Sequence, residues 1–195
     1  MLDTAGKLFE KLIKSRLHAA VERAGGLSQR QYGFRPGKST VDAIQEVVEA
    51  VRVAENRNHY SRRMVFLVTL DVRNAFNSAR WTDMLEALDA FQVPEYLKRI
   101  LRDYLKDRRL LYQTCEGQKE RTVTAGAAQG SVLGPDLWNL AYDSLLKLEV
   151  PEETILVGYA DDVAALISAR SFERAQVKIN QLMLQVGDWF RTAFP

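Results

Sequence analysis

The chain has 195 residues and a formal net charge of +2, and it is 47% hydrophobic and 27% charged. This length suits one ordinary domain, or one domain with a small lobe, and the composition supplies a sizeable core. A single cysteine, Cys115, excludes a disulfide framework and indicates a reducing compartment, while His18 and His59 add too few ligands for a zinc site.

Membrane and secretion signals are absent from the sequence pattern. There is no run of about 18 apolar residues that would predict a transmembrane helix. Residues 1–17 lack the apolar core of a signal peptide. We therefore expect an intracellular protein with no membrane partner.

The charges are unevenly distributed. Residues 1–63 contain 12 Lys/Arg against 7 Asp/Glu, and residues 98–121 contain 8 against 4, so the remainder is net acidic. Basic segments beside an acidic centre are compatible with a polyanionic partner, although a solvated helix face gives the same pattern.

Two helices are predicted in the first third of the chain. Residues 7–21 place apolar side chains near one stripe, and residues 41–54 do the same after a candidate N-cap at Ser39 and Thr40. The first stripe comprises Leu8, Leu12, Leu17 and Val21, and the second comprises Val41, Ile44, Val47, Val48 and Val51. The segment between them, "GGLSQRQYGFRPGKST", is predicted to be a loop.

Strands and helices then follow one another without a repeat or a linker. We predict a strand over 62–71, helices around 81–88 and 96–104, strands over 109–115 and 121–125 joined by "EGQKE", a glycine-rich loop "GAAQGSVLGP", a helix over 136–148, a hairpin over 155–168, and a last helix over 172–189. Strands in hairpins with packed helices favour an α+β fold with an antiparallel sheet.

Adjacent carboxylates interrupt the apolar segment "ILVGYADDVAALIS" at Asp161 and Asp162. Aspartate is a common turn residue, so this segment alone predicts only a hairpin. However, a second apolar strand, "VFLVTLD", also ends in aspartate, at Asp71. If both strands are central in one sheet, the three carboxylates meet at one edge, where a divalent cation such as Mg²⁺ would offset their repulsion. Two such ions, roughly 3.5–4 Å apart, suit phosphoryl or nucleotidyl transfer.

Four motifs together resemble the polymerase core of reverse transcriptases, most closely those of non-LTR, LINE-type retrotransposons. They are "LSQRQYGFRPGKST", "TLDVRNAFN", "GAAQGSVLGP" and "YADD", in the order of that family. The resemblance implies a fingers–palm fold with an antiparallel palm sheet and packed helices. By this resemblance, residues 1–63 are expected to form partial fingers and residues 64–195 the palm, with an inserted fingers or helical segment near 95–125. The chain is expected to end before the thumb.

The resemblance implies a role for each matching residue. Asp71, Asp161 and Asp162 become the catalytic carboxylates that hold two Mg²⁺ ions, with Mn²⁺ as an alternative metal and the Val72 carbonyl as a further ligand. Among these three carboxylates, Asp162 is expected to contribute less to metal binding than Asp71 and Asp161. Residues expected to contact nucleotide, template or primer are Phe76 as a steric gate against ribose, Gln129 and Gly130, Arg35 and Lys38, and Tyr159.

The implied activity is RNA-directed DNA synthesis, in which dNTPs are added to a DNA primer on an RNA template, in the nucleus and cytoplasm. The thumb and endonuclease regions of a retroelement polyprotein are expected partners that this segment lacks. One alternative is a truncated or decayed element that only binds nucleic acid, or has no activity. Another is a different palm-type RNA polymerase, against which Phe76 argues.

Overall fold

The computed structural model describes residues 4–56, 63–71, 75–127 and 130–193. Seven helices and five strands are found in these residues. The helices are α1 (Thr4–Arg23), α2 (Thr40–Glu55), α3 (Ala75–Ser78), α4 (Trp81–Ala90), α5 (Glu95–Leu105), α6 (Gly134–Leu146) and α7 (Phe172–Ala193). The strands are β1 (Met64–Asp71), β2 (Arg109–Thr114), β3 (Gly117–Thr122), β4 (Thr154–Tyr159) and β5 (Asp162–Ala169).

The chain divides into two compact units. The first contains residues 1–27 and 74–141, and the second contains residues 28–73 and 142–195. These boundaries differ from the predicted division at residue 63, because α1 belongs with residues 74–141 and the loop and α2 belong with the sheet. The assignment of fingers and palm itself stays a prediction.

The second unit is built on a three-stranded antiparallel sheet with the order β1-β5-β4. Strand β5 is therefore central, and β1 lies at an edge of the sheet as described. The expectation that both strands ending in aspartate are central was wrong, because β1 and β4 lie at the two edges of the described sheet, on either side of β5. Both strands nevertheless pair with β5, and Leu70 of β1 pairs with Val163 immediately before the ladder reaches the carboxylates.

Helix α2 covers one face of this sheet. Tyr32, Ala43, Val157 and Leu166 form a buried cluster there, with Val47 and Ala50 packed against it. Ser39 is the N-cap of the helix, as the sequence predicted, and it forms a reciprocal capping box with Asp42. The predicted apolar stripe was wrong in part, because Val41, Ile44 and Val48 are exposed while alanines face the sheet. Small side chains allow the helix axis to approach the strands closely.

Helix α7 packs against the opposite face of the sheet. Residues Val163, Ala165 and Ile167 alternate with those under α2 and are buried. Phe66 of β1 makes an edge-to-face contact with Phe172 of α7, with ring centroids 6.1 Å apart. The sheet is thus covered on both faces, which makes the fold an α+β arrangement with an antiparallel sheet, as predicted.

The first unit consists of helices and the β2–β3 hairpin. Leu97, Leu101 and Leu105 of α5 are buried at helical spacing. Lys14 and His18 of α1 both contact Asp136 in the first turn of α6, at 2.8 Å and 2.6 Å. The predicted stripe of α1 was wrong at Leu8 and Leu12, which are exposed. The buried face comprises Glu10, Ile13, Leu17, Ala20 and Val21.

Other element boundaries also differ from prediction. Strand β3 begins at Gly117 rather than 121, because Thr114 pairs with Gly117 across a two-residue turn. Helix α6 spans Gly134–Leu146 rather than 136–148, and the short helix α3 was not predicted. No helix within the described part of the chain has the length and apolar character needed to cross a membrane.

Candidate active site

Two of the predicted carboxylates face each other across the central ladder. Asp71 is the last residue of β1 and Asp162 is the first of β5, and they are register partners. Like charges directly opposite each other in an antiparallel pair are destabilising. The sheet therefore ends in a like-charged pair that the strand pairing itself creates.

The third carboxylate lies in the turn that joins β4 to β5. Tyr159 pairs with Asp162, which leaves Ala160 and Asp161 as a two-residue connection. Ala160 has a φ of +57°, in the left-handed region that residues with a side chain seldom adopt. The turn thus holds Asp161 next to the Asp71–Asp162 pair at a cost in backbone strain.

The glycine-rich loop between α1 and α2 is joined to this turn by backbone hydrogen bonds. The Tyr32 N–H donates to the Gly158 carbonyl, and the Gly158 N–H donates to the Arg30 carbonyl, both at 2.8 Å. Gly33 then passes so close to Ala160 that a side chain on Gly33 would have no room. Two motifs separated by more than 100 residues in the sequence therefore form one structural element.

Tyr142 of α6 contacts the turn that contains Asp161. Its side chain is buried, and its hydroxyl donates to the Asp161 backbone carbonyl at 3.2 Å. Burial raises the pKa of Tyr142, and the charges of Asp161, Asp162 and Asp71 raise it further. The phenol therefore remains protonated at neutral pH, and its pKa depends on the charges of all three carboxylates.

The donor set suits a hard divalent cation. Carboxylate oxygens are the ligands that Mg²⁺ prefers. Among the described residues, no three His, Cys, Asp or Glu side chains lie close enough to form a ready-made metal site. The opposed Asp71 and Asp162, with Asp161 next in the chain, form a concentration of negative charge that a bound cation would stabilise.

A cavity of about 390 Å³ opens beside the carboxylates. Asp71, Tyr159 and Asp162 line one part of it, and apolar residues of α2 and the sheet line the rest, including Ala43, Ile44, Val47 and Val157. Its volume lies within the range of small-ligand sites. The carboxylates consequently border a recess with largely apolar walls.

Arg35 and Lys38 are held by their own loop. The Arg35 guanidinium donates to the Ser28 carbonyl at 2.6 Å, and the Lys38 ammonium donates to the Gln29 carbonyl at 2.8 Å. Lys38 also lies over the Tyr32 ring, 4.5 Å from its centroid. Both cations thus stabilise the loop that borders the Ala160–Asp161 turn, a role that the sequence did not predict.

Phe76 and Gly130 belong to the first unit. Phe76 of α3 stacks on buried Trp138, with ring centroids 5.2 Å apart and an interplanar angle of 29°. Gly130 has a φ of +77°, which favours glycine. The contact with Trp138 gives Phe76 a fixed orientation, which suits either a gate or a core residue. Val72 and Gln129 lie outside the described residues.

Comparison with known proteins shows the family to which this chain belongs. The family model described as "Reverse transcriptase (RNA-dependent DNA polymerase)" matches residues 1–193. The chain belongs to the reverse transcriptase family.

Similar proteins are encoded by mobile elements of insects. The chain is 29% identical to the probable RNA-directed DNA polymerase from transposon BS of Drosophila melanogaster, over 97% of this chain and 21% of that protein. It is 30% identical to the corresponding protein from transposon X-element of the same species, over 98% and 21%. The chain thus spans about a fifth of the length of these relatives.

The fold is that of a solved reverse transcriptase. Telomerase from Candida tropicalis, in complex with a fragment of telomeric RNA, matches 89% of this chain and 31% of its own length with a TM-score of 0.65. Its sequence identity is 12%, so this likeness concerns the fold alone. The predicted reverse-transcriptase fold and the resemblance to non-LTR retrotransposon enzymes are both confirmed.

The sequence did not predict three residues that lie around the carboxylates and their turn. Tyr142 gave no signal beyond its place in an apolar helix. Asp143 accepts the Ser28 N–H at 2.6 Å and is buried, which fixes the start of the loop. Gly33 was part of a quoted motif, but only the close approach to Ala160 explains why glycine is needed there.

Proposed function

We propose that this chain is the catalytic core of an RNA-directed DNA polymerase of a non-LTR retrotransposon. The observation that carries the proposal is the pairing of Asp71 with Asp162 beside the strained turn that holds Asp161. Membership of the reverse transcriptase family supports it. Because the chain spans about a fifth of its relatives, activity of this segment is part of the proposal.

The three aspartates are proposed to hold two Mg²⁺ ions. Asp71 and Asp161 serve as the main ligands, Asp162 supports them, and the Val72 carbonyl adds a backbone oxygen. When bound, such ions activate an attacking hydroxyl and stabilise a leaving phosphate oxygen. The aspartates supply the negative charge that binds the metals. The Tyr142 hydroxyl holds the turn in place through its hydrogen bond to the Asp161 carbonyl.

The remaining predicted residues are proposed to contact the nucleotide, the template or the primer. Phe76 lies under the sugar of the incoming dNTP and excludes a 2′-hydroxyl, while Gln129 and Gly130 contact nucleotide and template. Tyr159 lies next to the primer end. Since Arg35 and Lys38 already donate to loop carbonyls, direct contact with phosphate requires an exchange of those hydrogen bonds.

Primer and RNA template are proposed partners, together with the thumb and endonuclease regions of a longer polyprotein inside the cell. The basic segments attract nucleic acid, but a few phosphate contacts bind weakly and lose affinity as salt rises. We therefore expect distributive extension by the 195-residue chain alone. A decayed element that retains only nucleic-acid binding is the outcome that would replace this proposal.

The proposal is tested by metal binding and primer extension in parallel. Titration calorimetry with Mn²⁺ should show binding to the chain and none to the double variant Asp71→Asn with Asp161→Asn. The matched control is Asp103→Asn with Asp107→Asn, which removes the same charge from exposed positions. Unchanged Mn²⁺ binding in the first double variant would contradict the metal site, whatever the extension assay shows.

A further inference from the structure

Glu10 of α1 is a buried carboxylate to which the proposed mechanism assigns no role. Its side chain is 1% exposed, although charged residues seldom lie in the interior without partners. One carboxylate oxygen accepts the Val132 N–H at 2.8 Å, and the other accepts the Tyr104 hydroxyl. Both partners lie more than 90 residues away in the sequence.

The Val132 amide belongs to the glycine-rich loop that contains Gly130. This loop is fixed at its beginning by α3 and the residue that follows it, because the Ala127 N–H donates to the Phe76 carbonyl and the Gly126 N–H to the Ala79 carbonyl, both at 2.7 Å. Glu10 fixes the other end of the loop, because it accepts the Val132 N–H. The stretch between these two attachments contains Gly130 and leads into α6.

The Tyr104 hydroxyl completes this arrangement. Burial raises the pKa of Tyr104, and its hydrogen bond with Glu10 raises it further, so the hydroxyl stays a donor at neutral pH. Tyr104 also lines a cavity of about 540 Å³, together with Asn77, Gly130 and Ser131. A displacement of Glu10 would therefore alter the loop and the wall of this cavity together.

We propose that Glu10 is a positioning residue that fixes the position and orientation of the Gly130–Leu133 backbone for nucleotide binding. The inference rests on the proposed function, because the loop is assigned there to the incoming nucleotide. Glu10 acts only through the Val132 amide and the Tyr104 hydroxyl. A hydrogen bond to a charged, buried acceptor is among the stronger ones in proteins.

The test compares Glu10→Ala, Glu10→Gln and Tyr104→Phe with two controls. Glu22→Gln changes an exposed glutamate of the same helix, and Tyr96→Phe changes a tyrosine of α5 that is 44% exposed. Amide hydrogen exchange at Val132 is measured by NMR, beside global stability by urea unfolding. The affinity for dNTP with Mn²⁺ and, in primer extension, KM and kcat for dNTP are measured separately.

Glu10→Ala should accelerate exchange at Val132 by about tenfold or more, selectively, and raise Kd and KM for dNTP by a similar factor with little change in kcat. Glu10→Gln should give a smaller effect, since an amide oxygen still accepts one N–H. Neither control should change Val132 exchange.

Two results would overturn the inference. One is exchange at Val132 that matches the controls, or that rises only in step with global destabilisation. The other is a fall in kcat at unchanged KM, which indicates a smaller folded fraction. A wild-type chain that binds no nucleotide would instead contradict the proposed function, and Val132 exchange would still decide what Glu10 holds.

Discussion

The backbone of Gly33 lies directly against the backbone of Ala160. A Cβ atom on Gly33 would fall 2.0 Å from the Ala160 amide nitrogen and 2.7 Å from its Cα atom. These neighbours are backbone atoms and cannot rotate away as a side chain would. The loop that contains Arg35 and the turn that contains Asp161 therefore hold their relative position only with glycine at residue 33.

Gly33→Ala should separate the loop from the turn and disturb the carboxylates. We expect a loss of about 1–3 kcal/mol in the free energy of unfolding, typical of forced overpacking. Primer extension should fall more than this loss of stability accounts for, because Asp161 moves with the turn. Urea unfolding and extension rate at matched folded fraction measure the two effects.

Gly187→Ala provides the matched control for that substitution. Gly187 lies within α7, and a Cβ atom added there meets no heavy atom within 4 Å. Alanine in a helix interior is favoured over glycine by roughly 0.5–1 kcal/mol. The control should therefore gain stability and keep its activity. Equal behaviour of the two variants would show that the contact with Ala160 has no consequence.

The opposed carboxylates predict a stability that depends on metal. In the presence of EDTA, Asp162→Asn should raise the free energy of unfolding by about 0.2–1 kcal/mol, because it removes a like charge opposite Asp71. With Mn²⁺ the order should reverse, since the folded wild type has all three carboxylates and binds the metal more tightly than the folded variant does. Urea unfolding under both conditions gives the comparison. An order that is the same with and without Mn²⁺ would argue against a metal at this edge.

Phe76 should select deoxyribonucleotides if it is the steric gate. Phe76→Ala is expected to raise ribonucleotide incorporation relative to deoxyribonucleotide by tenfold or more, where about 1.4 kcal/mol corresponds to a factor of ten. The ratio of the two kcat/KM values measures this selectivity. The variant also loses the stacking on Trp138, so stability is measured beside it. A loss of stability without a change in the ratio would make Phe76 a core residue only.

The sequence predicted the positions of the strand-end aspartates and the N-cap at Ser39 because their signals are local. Asp71 and Asp161 each follow an apolar strand, and the Ser39 capping box is contained in four residues. These features depend on strand and helix periodicity, which a short window of sequence contains.

Features that depend on distant partners were not predictable in this way. Glu10 is buried because Tyr104 and Val132 satisfy it, and neither is visible from the α1 sequence. On α2, Val47 packs toward the sheet beside Ala43 and Ala50, while Val41, Ile44 and Val48 of the predicted stripe are exposed, and only the position of the sheet decides which face is buried. The β2–β3 hairpin is almost entirely exposed, so no alternation of apolar residues marked the start of β3 at Gly117.

Tyr142 predicts a particular alkaline dependence of stability. Burial, and then the charges of Asp161, Asp162 and Asp71, raise its pKa in the folded chain above the ordinary value. In the unfolded chain a tyrosine ionises near a pH of about 10. The folded state therefore binds one more proton than the unfolded state above that pH. The contribution of Tyr142 is fully present below a pH of about 10 and is lost as the pH rises toward the folded pKa.

Tyr142→Phe removes this dependence together with the hydrogen bond to the Asp161 carbonyl. At pH 7 we expect the variant to be less stable by about 0.5–1.5 kcal/mol, the usual value of one hydrogen bond. Above a pH of about 10 the wild type should lose up to about 1.4 kcal/mol more per pH unit than the variant, so the two curves approach each other. Tyr112→Phe, at a residue 42% exposed on β2, is the control. Parallel stability curves for wild type and Tyr142→Phe between pH 9 and 11, measured by urea unfolding, would show that the pKa of Tyr142 is not raised in the folded chain.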